Sequence, residues 1–373
     1  LFHCYTGAFD IVNKKIAEYI ENPKKNYIDK ESLNTLIKRG YITDKSPDEE
    51  EQNVLNIAKL LASKIKNLYT FTIIPTYKCN LKCTYCYQNL SIRSNILIDK
   101  NIVDKIFKII KNLKANSKNR IFKTIYLFGG EPFLPENYEI IKYILDLGNS
   151  RGYKFATFTN GVSLDRYIDL LNPNYFEKIQ ITLDGTEEVH NKRRMKKDGK
   201  GTFKEIVKNI DVALSKGVTL ELRINIDKRN LENFKGLFNY ILKKGWNNYR
   251  NFYVTCSPVI FSNKKKREKY GLSDYILYKK IISLLGKMPT WITISKVTLE
   301  LLQIFSGVFE KNGYPKFRIF SCPVENGGLI FDPYGDIYSC WMKSGNEFWK
   351  IGRYLPILEW DEDKLDMFKN RTI

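Results

Sequence analysis

The sequence predicts an α/β protein: a partial (β/α)6 TIM-like barrel, preceded by a mostly helical module and followed by a cysteine-bearing extension. Three observations lead there. Six short β-rich runs alternate with amphipathic helical stretches between residues 68 and 260; residues 1–67 lack that alternation; and it stops again in 261–373. Connections long enough to hold crossover helices mean βαβ units and a parallel sheet. Eight such units close a full barrel, whereas six leave it open on one side.

In residues 1–67, apolar residues recur at helical spacing over 11–20, 32–38 and 54–65. The second stretch ends at Gly40, and the acidic segment 44–51, with Pro47, marks a junction or helix start. Strands are expected at 70–75, 122–128, 154–159, 178–183, 219–226 and 251–256. Helices are expected between them at 99–113, 137–148, 164–171, 203–215 and 230–243. After 260, helices are expected at 272–285 and 299–309. A turn-rich stretch over 317–341 follows, with 329–331 and 337–339 forming a hairpin around Pro333-Tyr334-Gly335.

The chain has 373 residues, 43% hydrophobic and 27% charged, enough to fill a large core and coat it. That excludes a disordered or collagen-like protein. No stretch approaches the roughly 20 unbroken apolar residues of a membrane span, and residues 1–12 lack the layout of a signal peptide. The cytoplasm is the default location. The chain does not begin with Met, so the natural protein is expected to extend beyond it. Lys and Arg number 61 against 41 Asp and Glu, a net charge of +20. Nucleic acid or another acidic partner is one reading. The excess is mostly Lys spread along a chain rich in Asn and Ile, which is also the coding bias of an AT-rich genome. The run Lys264-Lys265-Lys266-Arg267 reads as a solvated loop.

Seven cysteines, at 4, 79, 83, 86, 256, 322 and 340, do not form a disulfide framework, because the count is odd and three crowd into eight positions. Cys79, Cys83 and Cys86 stand at C-x3-C-x2-C directly after the first strand. Structural zinc takes four protein ligands, and no fourth Cys or His lies nearby. Three thiolates on one loop suit a four-iron cluster with one iron left open to a small chelating co-substrate.

This spacing, with the aromatic Tyr85 before the third cysteine, resembles the radical S-adenosylmethionine (SAM) superfamily. Gly129-Gly130-Glu131-Pro132, Thr159-Asn160-Gly161 and Thr182-Leu183-Asp184-Gly185 follow in order, then His190 and Arg194. Each motif stands at the C-terminal end of its strand, where parallel α/β sheets build ligand sites. The resemblance implies a [4Fe-4S] cluster on Cys79, Cys83 and Cys86, with SAM chelating the open iron. It implies reductive cleavage of SAM to methionine and a 5′-deoxyadenosyl radical, driven by an electron donor of the flavodoxin or ferredoxin class. Gly129 and Gly130 would let backbone approach the methionine moiety, and Glu131 or a nearby carbonyl would accept from its amino group. Asn160, Thr182 and Asp184 would bind ribose or methionine, Arg194 the SAM carboxylate, and Tyr85 would pack beside the adenine. His190 is expected as a structural hydrogen bonder rather than a base.

Cys322-Pro323, the G-x4-C spacing from Gly335 to Cys340, and Ile351-Gly352-Arg353-Tyr354 resemble the opening half of a SPASM/twitch extension. This implies one or two auxiliary iron–sulfur clusters, with Cys322 and Cys340 among their ligands. The further cysteine run of a full SPASM domain is missing, so a truncated chain is expected. Cys256 is the internal candidate for an extra ligand or a hydrogen-atom donor, beside the plain reading of a buried cysteine; Cys4 reads as structural. The combination most resembles radical SAM peptide maturases acting on a ribosomally made precursor peptide. Residues 1–67 would recognise its leader, in one form as a strand added to a sheet edge. The expected product is an oxidative thioether or C–C crosslink. Alternatives are a peptide epimerase, an anaerobic sulfatase-maturing (formylglycine-generating) enzyme, and a non-catalytic iron–sulfur or zinc protein binding nucleic acid. The last does not explain the ordered motifs.

Overall fold

A computed structural model describes residues 1, 3, 6, 8–65, 69–88, 96–115, 123–294 and 328–369. The chain divides into two compact units, one containing residues 1–66 and the other residues 67–297 and 322–371. The expected helix at 299–309 lies outside the described residues, as do Cys4 and Cys322.

The first unit holds α1 (Lys14–Glu21), α2 (Lys30–Arg39) and α3 (Pro47–Ile65). Asn13 and Asp29 cap the first two, accepting from the N–H groups of Ile16 and Ser32. Of the two readings of the acidic segment, the structure has the helix start: α3 begins at Pro47 with Asp48, Glu49 and Glu50 in its first turn. Ser46 and Glu49 form a reciprocal capping box, with 2.8 Å from the Ser46 N–H to Glu49 and 3.3 Å from the Glu49 N–H to Ser46 Oγ. Among the described residues 8–65 there is no strand, so the sheet edge expected to receive a leader peptide is not found there.

The second unit is one sheet of eleven strands, in the order β11-β10-β9-β8-β1-β2-β3-β4-β5-β6-β7. The six expected strands are β1 (Thr70–Ile73), β2 (Thr124–Leu127), β3 (Lys154–Thr159), β4 (Phe176–Thr182), β5 (Leu220–Ile226) and β6 (Phe252–Pro258), all parallel. A seventh parallel strand, β7 (Ile292–Ile294), is too short to carry a period in the sequence. The hairpin expected around Pro333 is β8 (Gly328–Phe331) with β9 (Asp336–Tyr338). Strand β8 lies parallel to β1, so this hairpin, with β10 (Lys350–Arg353) and β11 (Glu359–Trp360), extends the barrel sheet.

Helix α4 (Lys100–Ala115) follows β1, α5 (Tyr138–Ser150) follows β2, α6 (Glu187–Arg193) and α7 (Phe203–Ser215) both follow β4, and α8 (Phe234–Lys244) follows β5. After β6 come α9 (Lys264–Tyr270), α10 (Asp274–Leu285) and, last, α11 (Glu362–Lys369). Two expectations need correction. The basic run at 264–267 opens α9, capped by Asn263, and is not a loop. The helix expected at 164–171 is only a 3-10 turn over Leu164–Tyr167, continued by a turn in which Leu170 N–H donates to the Tyr167 carbonyl at 2.9 Å.

Strand alternation separates two faces. Phe71, Ile125, Phe155, Ile179, Leu222 and Val254 are fully buried in one hydrophobic cluster with helix residues such as Phe107 and Ile141. In the alternate positions Tyr126, Phe128, Phe158, Gln180, Arg223 and Asn225 are only half-buried. Strands of a parallel sheet covered on both sides are near-continuously apolar. The half-exposed, partly polar inner face therefore marks a cavity inside the open barrel.

Candidate active site

The cysteine loop leaves the C-terminal end of β1 and is held from two sides. Glu131 N–H donates to the Lys78 carbonyl at 2.8 Å, and Gly130 N–H to the Thr76 carbonyl at 3.1 Å. On the other side Lys82 N–H donates to the Met195 carbonyl at 2.9 Å, and Thr84 N–H to that of Arg193 at 3.0 Å. A Cβ on Gly130 would stand 2.2 Å from the Lys78 carbonyl oxygen, and one on Gly129 2.5 Å from that of Thr76. Gly129 also has φ of +137°, which side chains rarely adopt. The space left by the missing side chains of these two glycines admits the backbone of the cysteine loop.

Glu131 is likewise committed to the protein. Its carboxylate accepts from Phe133 N–H at 2.9 Å, Thr159 Oγ1 at 2.6 Å and Asn160 N–H at 2.6 Å. It ties the second motif to the third, and burial raises its pKa against those donors. An amino group is therefore better received by a backbone carbonyl of this segment than by the Glu131 side chain. Asn160 Nδ2 donates to Asn80 Oδ1 at 2.7 Å and lies 3.9 Å from Cys79 Sγ.

Tyr85, Asp184 and Arg194 meet in one buried node, with Asn225 of β5 as a fourth member. Tyr85 O–H donates to Asp184 Oδ2 and accepts from Arg194 Nη1 at 2.7 Å and Asn225 Nδ2 at 3.2 Å. The other Asp184 oxygen accepts from Asn225 N–H at 2.9 Å. Arg193 lies over the Tyr85 ring at 5.0 Å and pairs with Asp227 at 2.9 Å. His190 sits beneath the node. Its Nδ1 accepts from Asp184 N–H at 3.1 Å, and Nε2 lies 2.9 Å from Thr202 Oγ1, which itself donates to the Arg194 carbonyl. Those bonds assign the neutral tautomer with the proton on Nε2. Burial, Arg194 and Arg193 hold its pKa well below the usual histidine range. It is placed as a hydrogen-bonding post.

The family of motifs implies a cluster on three thiolates, and the donors fit it. Burial, the Glu131 charge and the adjacent thiolates push the Cys79 thiol up to about 12, against one favourable bond from Leu81 N–H at 3.5 Å. Such crowding of sulfur is relieved by a bound cation. Among the described residues no three Cys, His, Asp or Glu side chains close on a single ion; a four-iron cluster is wider than one ion and takes its sulfurs further apart. Arg194 Nε is buried without a hydrogen-bond partner among the described residues, a donor left over for a bound carboxylate. Thr182 stands on the inner face of β4, opposite Arg223 of β5.

Cys256 is fully buried beside Ile224 and Ile294, in the hydrophobic cluster on the helix-facing side of β6. Thr255 is the β6 residue in register with Arg223 on the inner face. A donor or ligand role for Cys256 would need it on that inner face, and its side chain lies in the helix-facing cluster instead. Cys340 directly precedes Trp341, whose ring packs on Phe128 at 5.5 Å and Phe158 at 4.9 Å and whose Nε1–H donates to Thr72 at 3.0 Å. Sequence motifs missed Asn225, Arg193, Arg223 and this aromatic wall. The available signal was in β5, where Glu221, Arg223 and Asn225 occupy every second position of an otherwise apolar strand.

Comparison with known proteins agrees with this geometry. Residues 73–241 match the Radical SAM superfamily. The chain is 26% identical over 210 residues to the cysteine-type anaerobic sulfatase-maturating enzyme of Clostridium novyi, covering 53% of this chain and 54% of that one. It is 22% identical over 382 residues to the radical SAM cyclopropyl synthase TigE of Paramaledivibacter caminithermalis, covering 92% and 76%. Among solved structures it resembles anSMEcpe with bound AdoMet (TM-score 0.61, 18% identity, 80% of this chain and 82% of that one). It also resembles Streptococcus suis SuiB bound to precursor peptide SuiA (TM-score 0.55, 15% identity, 95% and 77%). At these identities the structural likeness shows the fold.

Proposed function

Because residues 73–241 are a radical SAM domain, we propose that this enzyme oxidatively crosslinks a ribosomally made precursor peptide through a thioether or C–C bond. The observation that carries the reading is the node of Tyr85, Asp184, Arg194 and Asn225 set against the three-cysteine loop, at the rim of a half-exposed inner face. The family implies a [4Fe-4S] cluster and SAM; when bound they supply one-electron cleavage of a sulfonium and hydrogen abstraction from an unactivated carbon.

This chain's residues hold and shield that chemistry. Cys79, Cys83 and Cys86 would bind the iron. Leu81 N–H and Asn160 Nδ2 stand at the Cys79 sulfur, where bonds to a ligating atom tune its charge. Arg194 keeps a buried N–H for a carboxylate, while Asn160, Thr182 and Asn225 offer polar contacts to SAM. Tyr126, Phe128, Phe158 and Trp341 wall the inner face with aromatic surface, which excludes water from a reactive carbon. Cys340, with Cys322, would contribute to an auxiliary cluster, and residues 1–67 would take the leader. The peptide reading is supported by SuiB, whose structure includes a precursor peptide and aligns with 95% of this chain. A sulfatase-maturing activity is the second reading, supported by the sequence likeness to the Clostridium novyi enzyme over 210 residues.

The test is anaerobic reconstitution with SAM, followed by mass spectrometry of the candidate peptide. The expected results are 5′-deoxyadenosine and a product lighter by two hydrogens. Cys83→Ala should abolish SAM cleavage, and a Cys83→Ala protein with full turnover refutes the assignment.

A further inference from the structure

A groove of about 530 Å³ opens beside the cysteine loop, and Cys79 and Asn80 form part of its wall. Five cations, Lys78, Arg166, Lys196, Lys197 and Lys208, line it against three carboxylates. Lys78 is paired with Glu136 and Lys196 with Glu205, each at 2.6 Å. Lys197 and Lys208 are in no ion pair among the described residues, so the groove keeps positive charge. That charge is also fixed in place. Lys197 N–H donates to the Asn80 carbonyl at 3.2 Å, and Leu81 bridges to Lys196, so both lysines ride on the strip that clamps the loop. Of the three iron-ligating candidates, Cys79 alone reaches this groove.

We propose that the groove docks a small acidic one-electron carrier protein, which delivers the electron the reaction consumes. This rests on the functional reading above. In the exchange one electron leaves an anionic flavin hydroquinone, which becomes the neutral semiquinone, and reduces the cysteine-bound cluster by one charge. Complementary charge steers such encounters and fixes their register. The groove meets the partner beside a cluster ligand, and the inner face stays free for the peptide. An acidic leader peptide is the other occupant of similar charge, and the test separates the two.

Labelled oxidised flavodoxin is titrated into the full chain at about 50 mM and about 300 mM salt. Binding is expected at the lower salt and should weaken at the higher. Lys197→Glu/Lys208→Glu should weaken it about tenfold, while SAM cleavage driven by dithionite, which needs no docking, stays within about twofold of the parent. Unchanged flavodoxin binding in that variant overturns the proposal, as does competition-free binding of an acidic leader peptide at the same lysines without any flavodoxin binding. If the double charge reversal also damages dithionite-driven cleavage, Lys197→Gln/Lys208→Gln is read by binding alone: weaker binding supports the docking site and unchanged binding overturns it. A parent protein that cannot cleave SAM with dithionite defeats the functional reading instead, and the binding titration does not depend on that result.

Discussion

His190 shows how one buried side chain can serve the site without touching a substrate. It spends Nδ1 on the backbone of Asp184 and Nε2 on Thr202, and so sets the height of the Asp184 carboxylate beneath Tyr85. Its folded pKa lies below the unfolded value of about 6.5. Below that pH the unfolded chain takes a proton that the folded chain refuses, so stability falls as pH falls and is unaffected above it. The slope is up to about 1.4 kcal/mol per pH unit for one proton. Urea unfolding at pH 7.5 and 5.5 should therefore show a smaller loss in His190→Gln than in the parent. Equal losses in the two proteins would contradict the neutral assignment. Around it, Arg193 and Asp227 form a buried ion pair, which the exposed Arg229 joins from outside at 2.6 Å from Asp227. Removing one partner of such a pair leaves an uncompensated charge.

Strand β6 illustrates how alternation decides which chemistry a residue can reach. Val254 and Cys256 face the helices, and Thr255 faces the barrel interior. A thiol at the end of a barrel strand is an attractive catalytic candidate when read along the chain, yet a shift of one position moves it to the other side of the sheet. Cys256→Ala is expected to cost about 1 kcal/mol through the cavity it leaves, with SAM cleavage and any peptide modification retained. Loss of modification with stability intact would restore Cys256 to the reaction. The cysteine loop follows the same logic of register. Gly129 and Gly130 are required because two backbone segments come into contact there, and Glu131 then bolts the loop to the end of β3.

The whole sheet joins the two ends of the second unit. Strand β8 pairs with β1 across more than 250 residues of chain (Phe71 with Leu329 and Ile73 with Phe331), and Trp341 closes the aromatic wall from that added hairpin. The C-terminal strands therefore complete the inner face as well as bearing Cys340. A chain ending at residue 327 would leave the β1 edge unpaired and the hydrophobic side of Phe71 and Ile73 open, an arrangement prone to edge-to-edge association. Size-exclusion chromatography should find it aggregated or unfolded; a monodisperse truncation with the parent's thermal midpoint would show that β8–β11 are dispensable to the barrel.

The order of strands and helices, the cysteine loop and the four motifs were legible in the linear chain, because hydrophobic period and residue spacing are local properties. The start of α7 at Phe203 belongs to the same class, whereas the third helix begins at Pro47, ahead of the apolar period expected from 54. The partners of each motif were not local. That Glu131 braces a neighbouring loop, that Asn225 joins Tyr85 and that Trp341 reaches the cavity depend on pairings between strands far apart in sequence. Cys256 was ambiguous for the same reason: its residue type suggested reactivity, and only its side of the sheet shows what it touches. Chemistry at this site is specified by residue identity, and access to it by the register of a curved parallel sheet.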